Sequence, residues 1–245
     1  VALGVRVLVG VDGPRTFVSV IPSPNIWHWP QVYEIENRAQ DRDGRIFAAL
    51  RELADWTGRD VVDVGCGAGF HLSMFEGAAS VVGIEPHPKL LAMARRRGQA
   101  LAGTAERLPL PDASADIVHA RTAYFFGPKS APGIAEAMRV LRPGGVLVVV
   151  DLDATAHDYG AWMRADLPHY DPVAVEKFFA ARGFDMLRVD TRWEFDSRAD
   201  LAAVLDIEFT PETAARARAE TVGLALDVRY RMHTLRKPSS VLSVR

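Results

Sequence analysis

Cysteine is almost missing from this chain: Cys66 is the single one in 245 residues, so no disulfide can form within it. Such a composition fits a reducing compartment, and a cytoplasmic setting is expected. An excess of one charge is missing too. The 29 basic and 31 acidic side chains leave a net charge of -2, without the basic footprint that phosphate-backbone binding requires. No nucleic-acid partner is expected. Long apolar runs are absent as well. Residues 1–11 are apolar but broken by Arg6, lack a charged leader and fall far short of a bilayer span, so neither a signal nor a membrane anchor is expected. Residues 1–24, which alternate loosely and then meet Pro22 and Pro24, are expected to be a small hairpin or an extension ahead of the domain.

What is present is alternation between two periodicities. Ile46, Leu50, Leu53 and Trp56 recur at helical spacing, predicting an amphipathic helix between Gly44 and Gly58. The β-branched run 61–64 follows, then a helix-compatible stretch, then the apolar run 81–84. Residues 90–97 read as a helix, 100–104 and 116–120 as strands, and 134–141 as a helix stopped by Arg142-Pro143-Gly144-Gly145 ahead of the strand 146–150. Strands and helices in this order predict a doubly wound, mostly parallel sheet with helices on both faces. Two later strands, 184–195 and 224–234, alternate apolar with charged residues and are joined through helices at about 198–206 and 211–220. They are expected to form a final, antiparallel pair with one uncovered face, solvated or serving as a subunit contact; a homodimer stays open.

Gly65, Gly67 and Gly69 close the first strand, so the backbone can turn tightly and present amides to a ligand. The dinucleotide fingerprint G-x-G-x-x-G needs its third glycine at position 70, which is Phe70. Asp63 beside the loop would repel a pyrophosphate and attract an ammonium group. Glu85, about twenty residues past the loop, stands where an acid accepts hydrogen bonds from ribose hydroxyls.

With these motifs the chain resembles the class I S-adenosylmethionine (SAM) dependent methyltransferases that act on small molecules. Val61-Val62-Asp63-Val64-Gly65-Cys66-Gly67-Ala68-Gly69, Val82-Gly83-Ile84-Glu85-Pro86, Gly103-Thr104-Ala105-Glu106-Arg107-Leu108-Pro109, Asp116-Ile117-Val118 and Arg139-Val140-Leu141-Arg142-Pro143-Gly144-Gly145 carry the resemblance in order. It implies a single α/β domain, a seven-stranded Rossmann-like sheet with its last strand antiparallel. It also implies that SAM lies on the loop containing Gly65, Cys66, Gly67 and Gly69, with Glu85 on the ribose and Pro86 on the adenine. The family often has aspartate where this chain has Thr104, so the adenine amino group is expected to meet Thr104, Ala105, Glu106 or solvent, with Ala120 at the end of the fourth strand. The domain is expected to span 25–245, with its cofactor half at about 44–151 and substrate-side elements at 25–43 and 152–245.

Further candidates follow from chemistry. Tyr33, Asn37 and Arg38 could reach the methionine carboxylate of SAM, Arg38 by a bidentate pair. Cys66 has no histidine near it in sequence and reads as structural rather than nucleophilic. Asp151, Asp153, His157 and Asp158 invite a metal reading, but alternate residues of a strand point to opposite faces, and no metal is expected. His28, His157 and Asp151 are the candidates for a general base. The aromatic segments 26–33 and 156–170 have the mixed apolar and polar character of substrate walls, with core packing as the alternative for Trp27 and Trp29. The expected reaction is methyl transfer from SAM to oxygen or nitrogen of a small-molecule acceptor. The alternatives are a SAM-binding protein without turnover, an RNA or protein methyltransferase hinted at by the Arg-rich stretch 229–237, and an NAD-dependent oxidoreductase.

Overall fold

The computed structural model describes residues 24–124 and 127–239; the expected N-terminal extension, apart from its last residue, lies outside them. Seven strands form one sheet: β1 (Asp60–Val64), β2 (Ser80–Glu85), β3 (Gln99–Ala102), β4 (Ala115–Arg121), β5 (Leu141–Leu152), β6 (Asp185–Glu194) and β7 (Ala225–Arg236). Their order is β3-β2-β1-β4-β5-β7-β6. The first five are parallel, and β7 runs antiparallel to both β5 and β6. This is the doubly wound arrangement expected, with the antiparallel strand last in sequence.

Both faces of the central strands are covered, which is why β1, β4 and β5 read as near-continuous apolar runs. Val61, Ile117, Val146, Val148 and Val150 pack on one side with α3 (Arg45–Leu53), α6 (His157–Asp166), α8 (Arg198–Glu208) and α9 (Pro211–Glu220). Val62, Val64, Val118, Leu147 and Val149 pack on the other with α5 (Ala131–Val140) and α7 (Pro172–Ala180). Local chemistry sets the helix starts. Asp171 accepts from the amides of Val173 and Ala174, with Pro172 at the first position of α7. Ser197 accepts from the amide of Asp200 at the start of α8.

Three expectations needed correction. Between β1 and β2 there is no helix but one short 3-10 turn, Leu72–Met74; Trp56 donates its indole N–H to the carbonyl of Glu76 and pins this stretch as a loop. The strand expected at 146–150 begins earlier: α5 stops at Val140, and β5 starts at Leu141 and passes through Arg142-Pro143-Gly144-Gly145 with a register shift against β4. There Arg142 clamps Asp60 at 2.9 Å and Asp116 at 2.8 Å. The wet face of the last two strands is uncovered only in part. Arg231 and His233 are buried because α7 lies on them, Phe179 stacking on the His233 ring at 4.2 Å.

Two helices precede this core. They are α1 (Pro24–His28) and α2 (Pro30–Ala39), and they lie against the carboxyl edge of the sheet where the glycine loop emerges.

Candidate cofactor and acceptor site

The loop after β1 turns through positive φ at Gly65, Gly67 and Gly69. At Gly67 a side chain would meet both a left-handed backbone and Ile26 of α1, whose Cδ1 stands 2.7 Å from where a Cβ would be. The amides of Gly65 and Cys66 donate to the carbonyl of Ile84 at 2.8 and 3.1 Å, tying the loop to the end of β2. There Glu85 is buried and accepts from the amides of Gly67 at 3.0 Å and His87 at 2.8 Å. Burial pushes its carboxyl above the usual range, against the lowering effect of those two amides. The loop, Glu85 and the half-buried Pro86 therefore form one unit. Thr104 stands two residues beyond Ala102, the register partner of Glu85 on β3, and its buried hydroxyl has no hydrogen-bond partner. Ala105 and Glu106 are half-buried beside it, and Ala120 is buried at the end of β4. A carboxylate at the strand end, a glycine turn without side chains beside it and an orphaned hydroxyl fit a nucleoside carrying an amino group.

Alpha-helix α1 roofs this cradle. Ile26 packs with Ala68 and Leu90, and Trp27 stacks on His87 with ring centroids 4.9 Å apart. Trp29 is 47% exposed instead. Cys66 is buried with its sulfur over Gly83, and desolvation, then Asp63 and Glu85, push its thiol far above the usual range, so a thiolate nucleophile is disfavoured. Asp63 is buried below the loop, and its carboxylate is engaged by His119 Nδ1 at 2.8 Å.

The other candidates scatter. His28 is exposed at the end of α1. Arg38 is exposed on α2 and stands 3.9 Å from Glu34, which Arg97 holds at 2.8 Å. His157 bonds Asp190 of β6 at 2.7 Å, at the far edge of the sheet from β1. It lines a surface groove of about 360 Å³ with Trp162, Glu220 and Asp227. Asp153 takes Thr155 and Arg188, and among the described residues no three His, Cys, Asp or Glu side chains are placed to share a metal ion. The Arg-rich stretch 229–237 is committed to partners within the chain: Arg229 to Asp190 on the surface, Arg231 to Tyr170, and Lys237 to the carbonyls of Met138 and Leu141.

Asp151 is wholly buried opposite Arg231, with both carboxylate oxygens lacking a donor. Desolvation pushes its carboxyl up to about 7, although Arg231 opposes the rise. The folded chain therefore holds a proton that the unfolded chain releases at ordinary aspartate pKa, and the associated stability is lost as pH rises through about 7. Asp151→Asn is expected to flatten the fall in melting temperature between roughly pH 4 and pH 7, the interval between the ordinary and the raised value; an unchanged slope by scanning calorimetry would show that Asp151 ionises freely.

A polar network that sequence reasoning missed lies beyond the loop, at the end of β4. Arg121 donates to Gln40 Oε1 at 2.6 Å, Gln40 donates to Glu36 Oε1 at 2.5 Å, and the Arg121 guanidinium lies 5.0 Å over the Tyr230 ring. Tyr33 faces Thr122, and burial raises its hydroxyl well above the ordinary tyrosine range. Glu208 closes the group from α8, taking Asn25 at 2.7 Å and Tyr159 at 3.0 Å. The readable signal was His119 and Arg121, polar residues on one face of an otherwise apolar inner strand, which a core tolerates only with partners.

Residues 62–149 match the family described as "Methyltransferase domain". The chain is 35% identical to a malonyl-(acyl-carrier protein) O-methyltransferase of Serratia marcescens, over 44% of this chain and 45% of that one. It is 36% identical to a demethylmenaquinone methyltransferase of Deinococcus radiodurans, over 57% of this chain and 64% of the other. It thus spans less than two thirds of either relative. The crystal structure of the YcgJ protein of Bacillus subtilis superposes with a TM-score of 0.58 at 15% identity, covering 81% of this chain and all of that one, a likeness of fold. Together with the strand order and the glycine loop, these matches identify residues 62–149 as a methyltransferase domain, of the kind that uses S-adenosylmethionine.

Proposed function

We propose that this chain transfers the methyl group of SAM to oxygen or nitrogen of a small-molecule acceptor. The observation that carries this reading is the enclosed polar group of Tyr33, Glu36, Arg121, Tyr159 and Glu208 at the end of β4, next to the glycine loop. Ala123 stands 3.1 Å from where a Cβ on Gly65 would lie, so this end of β4 touches the cofactor cradle. Aromatic and polar side chains gathered in this way suit contact with a small organic molecule. The balanced net charge of -2 supports a small acceptor over nucleic acid. Among the described residues no helix is long and apolar enough to cross a membrane.

When bound, SAM supplies a methyl group on a sulfonium, which needs no further activation. What remains for the protein is to hold cofactor and acceptor in line and without water. In this reading Glu85, held in place by the Gly67 and His87 amides, binds the nucleoside, α1 closes over it, and the β4 end with α2 orients the acceptor. A phenol, carboxylate or amine needs positioning alone, whereas an unactivated hydroxyl needs a base.

Calorimetric titration is expected to show SAM binding and no NAD binding, and an acceptor screen with SAM to yield S-adenosylhomocysteine. Binding of NAD instead, or of neither, would overturn the reading; SAM binding with no product from a broad library would point to a binding protein.

A further inference from the structure

Beyond the cofactor cradle, α2 turns Tyr33, Glu36 and Gln40 to one side, at spacings of three and four residues. Glu36 is 3% exposed. Its Oε1 accepts from Gln40, and its Oε2 accepts from no N–H or hydroxyl of the described residues, a proton shared with Glu208 being what joins the two carboxyls. The carboxyl faces Glu208, the last residue of α8, whose two oxygens are taken by Asn25 and by the Tyr159 hydroxyl. Two carboxyl groups thus approach each other in a buried place.

The charge balance there is incomplete. Among the described residues the guanidinium that faces Glu36 is Arg121, which also faces Asp41 and is committed to Gln40 and to His71 Nε2 at 3.3 Å. Desolvation, then Arg121, hold His71 well below the ordinary histidine range, so it adds no positive charge. The remaining titratable neighbours are the hydroxyls of Tyr33, Tyr159 and Tyr230, all raised by burial and neutral. Among the described residues, two carboxylates against a guanidinium shared with Asp41 leave the pair short of at least one positive charge. Without a ligand a proton makes it up: burial and mutual repulsion push Glu36 well above the usual carboxylate range, and burial pushes Glu208 in the same direction.

We propose that the Glu36–Glu208 pair anchors an organic ammonium group carried by the methyl acceptor, the orphaned Glu36 Oε2 taking one of its N–H donors. The proposal rests on the methyl-transfer reading above and names the acceptor's class, an amine-bearing small molecule. A metal ion is the poorer occupant, since no third His, Cys, Asp or Glu converges with these two among the described residues. An ammonium supplies the donors that two carboxylates lack, and the Tyr33 and Tyr159 rings beside it add favourable faces. Tyr33 also faces Thr122, one residue from the Ala123 that touches the glycine loop, so an anchored amine lies beside the cofactor cradle. Binding exchanges charges in balance: the ammonium enters, and the proton shared by the two carboxyls leaves to solvent.

The test uses the full chain saturated with S-adenosylhomocysteine and three matched probes: tyramine, 4-ethylphenol and 4-hydroxyphenylacetate. Tyramine is expected to bind at least tenfold more tightly than 4-ethylphenol, with 4-hydroxyphenylacetate weakest. In buffers of differing ionisation enthalpy, tyramine binding at neutral pH should release about one proton. Glu36→Gln and Glu208→Gln should each abolish the preference for tyramine and the proton release, while retained S-adenosylhomocysteine binding shows the variants to be folded. Equal binding of the three probes, binding of none, or an unchanged preference in both variants would overturn the ammonium anchor and leave methyl transfer standing. Failure of the unmodified chain to bind SAM or S-adenosylhomocysteine would overturn the methyl-transfer reading itself.

Discussion

Glu85→Ala is expected to weaken SAM binding by a hundredfold or more while leaving the chain folded. The carboxylate does two things from one place. It ties the amides of Gly67 and His87 together across the end of β2, and it presents acceptor oxygens where ribose hydroxyls are expected. Hydrogen bonds to a charged group contribute about 1.5–3 kcal/mol each. Losing two to the ribose, less the relief of desolvating a buried carboxylate, puts the deficit at about 3 kcal/mol, or a hundredfold in affinity. Because burial raises the Glu85 carboxyl, SAM affinity should also begin to fall on acidification at a higher pH than an ordinary glutamate would dictate. Glu85→Gln keeps one acceptor oxygen and should sit between the two. Titration calorimetry on the three proteins decides the matter; an Ala variant with SAM affinity near that of the unmodified chain would remove Glu85 from the ribose.

Arg121→Met should cause the largest loss of stability among single changes outside the apolar core. The guanidinium is almost wholly buried, and it is the cation that faces Glu36, Asp41 and Tyr230. Removing one partner from a buried charge group typically costs about 3 kcal/mol or more. For a chain of this size that lowers the melting temperature by on the order of ten degrees. The loss should depend on pH. Glu36 and Glu208 both titrate above their ordinary value, so their contribution is present below the ordinary glutamate pKa and is lost as pH rises through the raised values. Arg121 lowers the Glu36 value, so without it that loss should deepen and extend further toward neutral pH. Melting curves between roughly pH 5 and pH 8 would show a wider gap between the two proteins at the alkaline end; a constant gap would mean that Arg121 acts by packing alone.

The cofactor half was the more legible part of the molecule. A parallel strand buried on both faces writes itself as a short β-branched run, and a backbone that must turn tightly under a ligand writes itself as closely spaced glycines, so 61–69, 81–86 and 146–150 could be read locally. The helical connection expected after β1 failed for a tertiary reason. Residues 70–77 are helix-compatible, but Phe75 is drawn into an aromatic cluster with Trp56, Phe47 and His119, and the Trp56 indole holds the Glu76 carbonyl. Packing overrode a weak propensity.

The acceptor side was nearly illegible. Glu36, Arg121, Tyr159 and Glu208 come from four elements spread over more than half the chain, and nothing in their local spacing ties one to another. His157, prominent in the sequence as a histidine just past a strand end, is turned away to Asp190, because the chain enters α6 at positive φ and carries the ring toward β6. By itself, then, the amino-acid sequence determined the layered sheet, the cofactor loop and the acid at the end of β2, since each depends on periodicity or backbone freedom within a few neighbouring residues. The tertiary structure alone decided which charged side chains are buried together, because desolvation and charge pairing act between residues that only the folded chain makes neighbours.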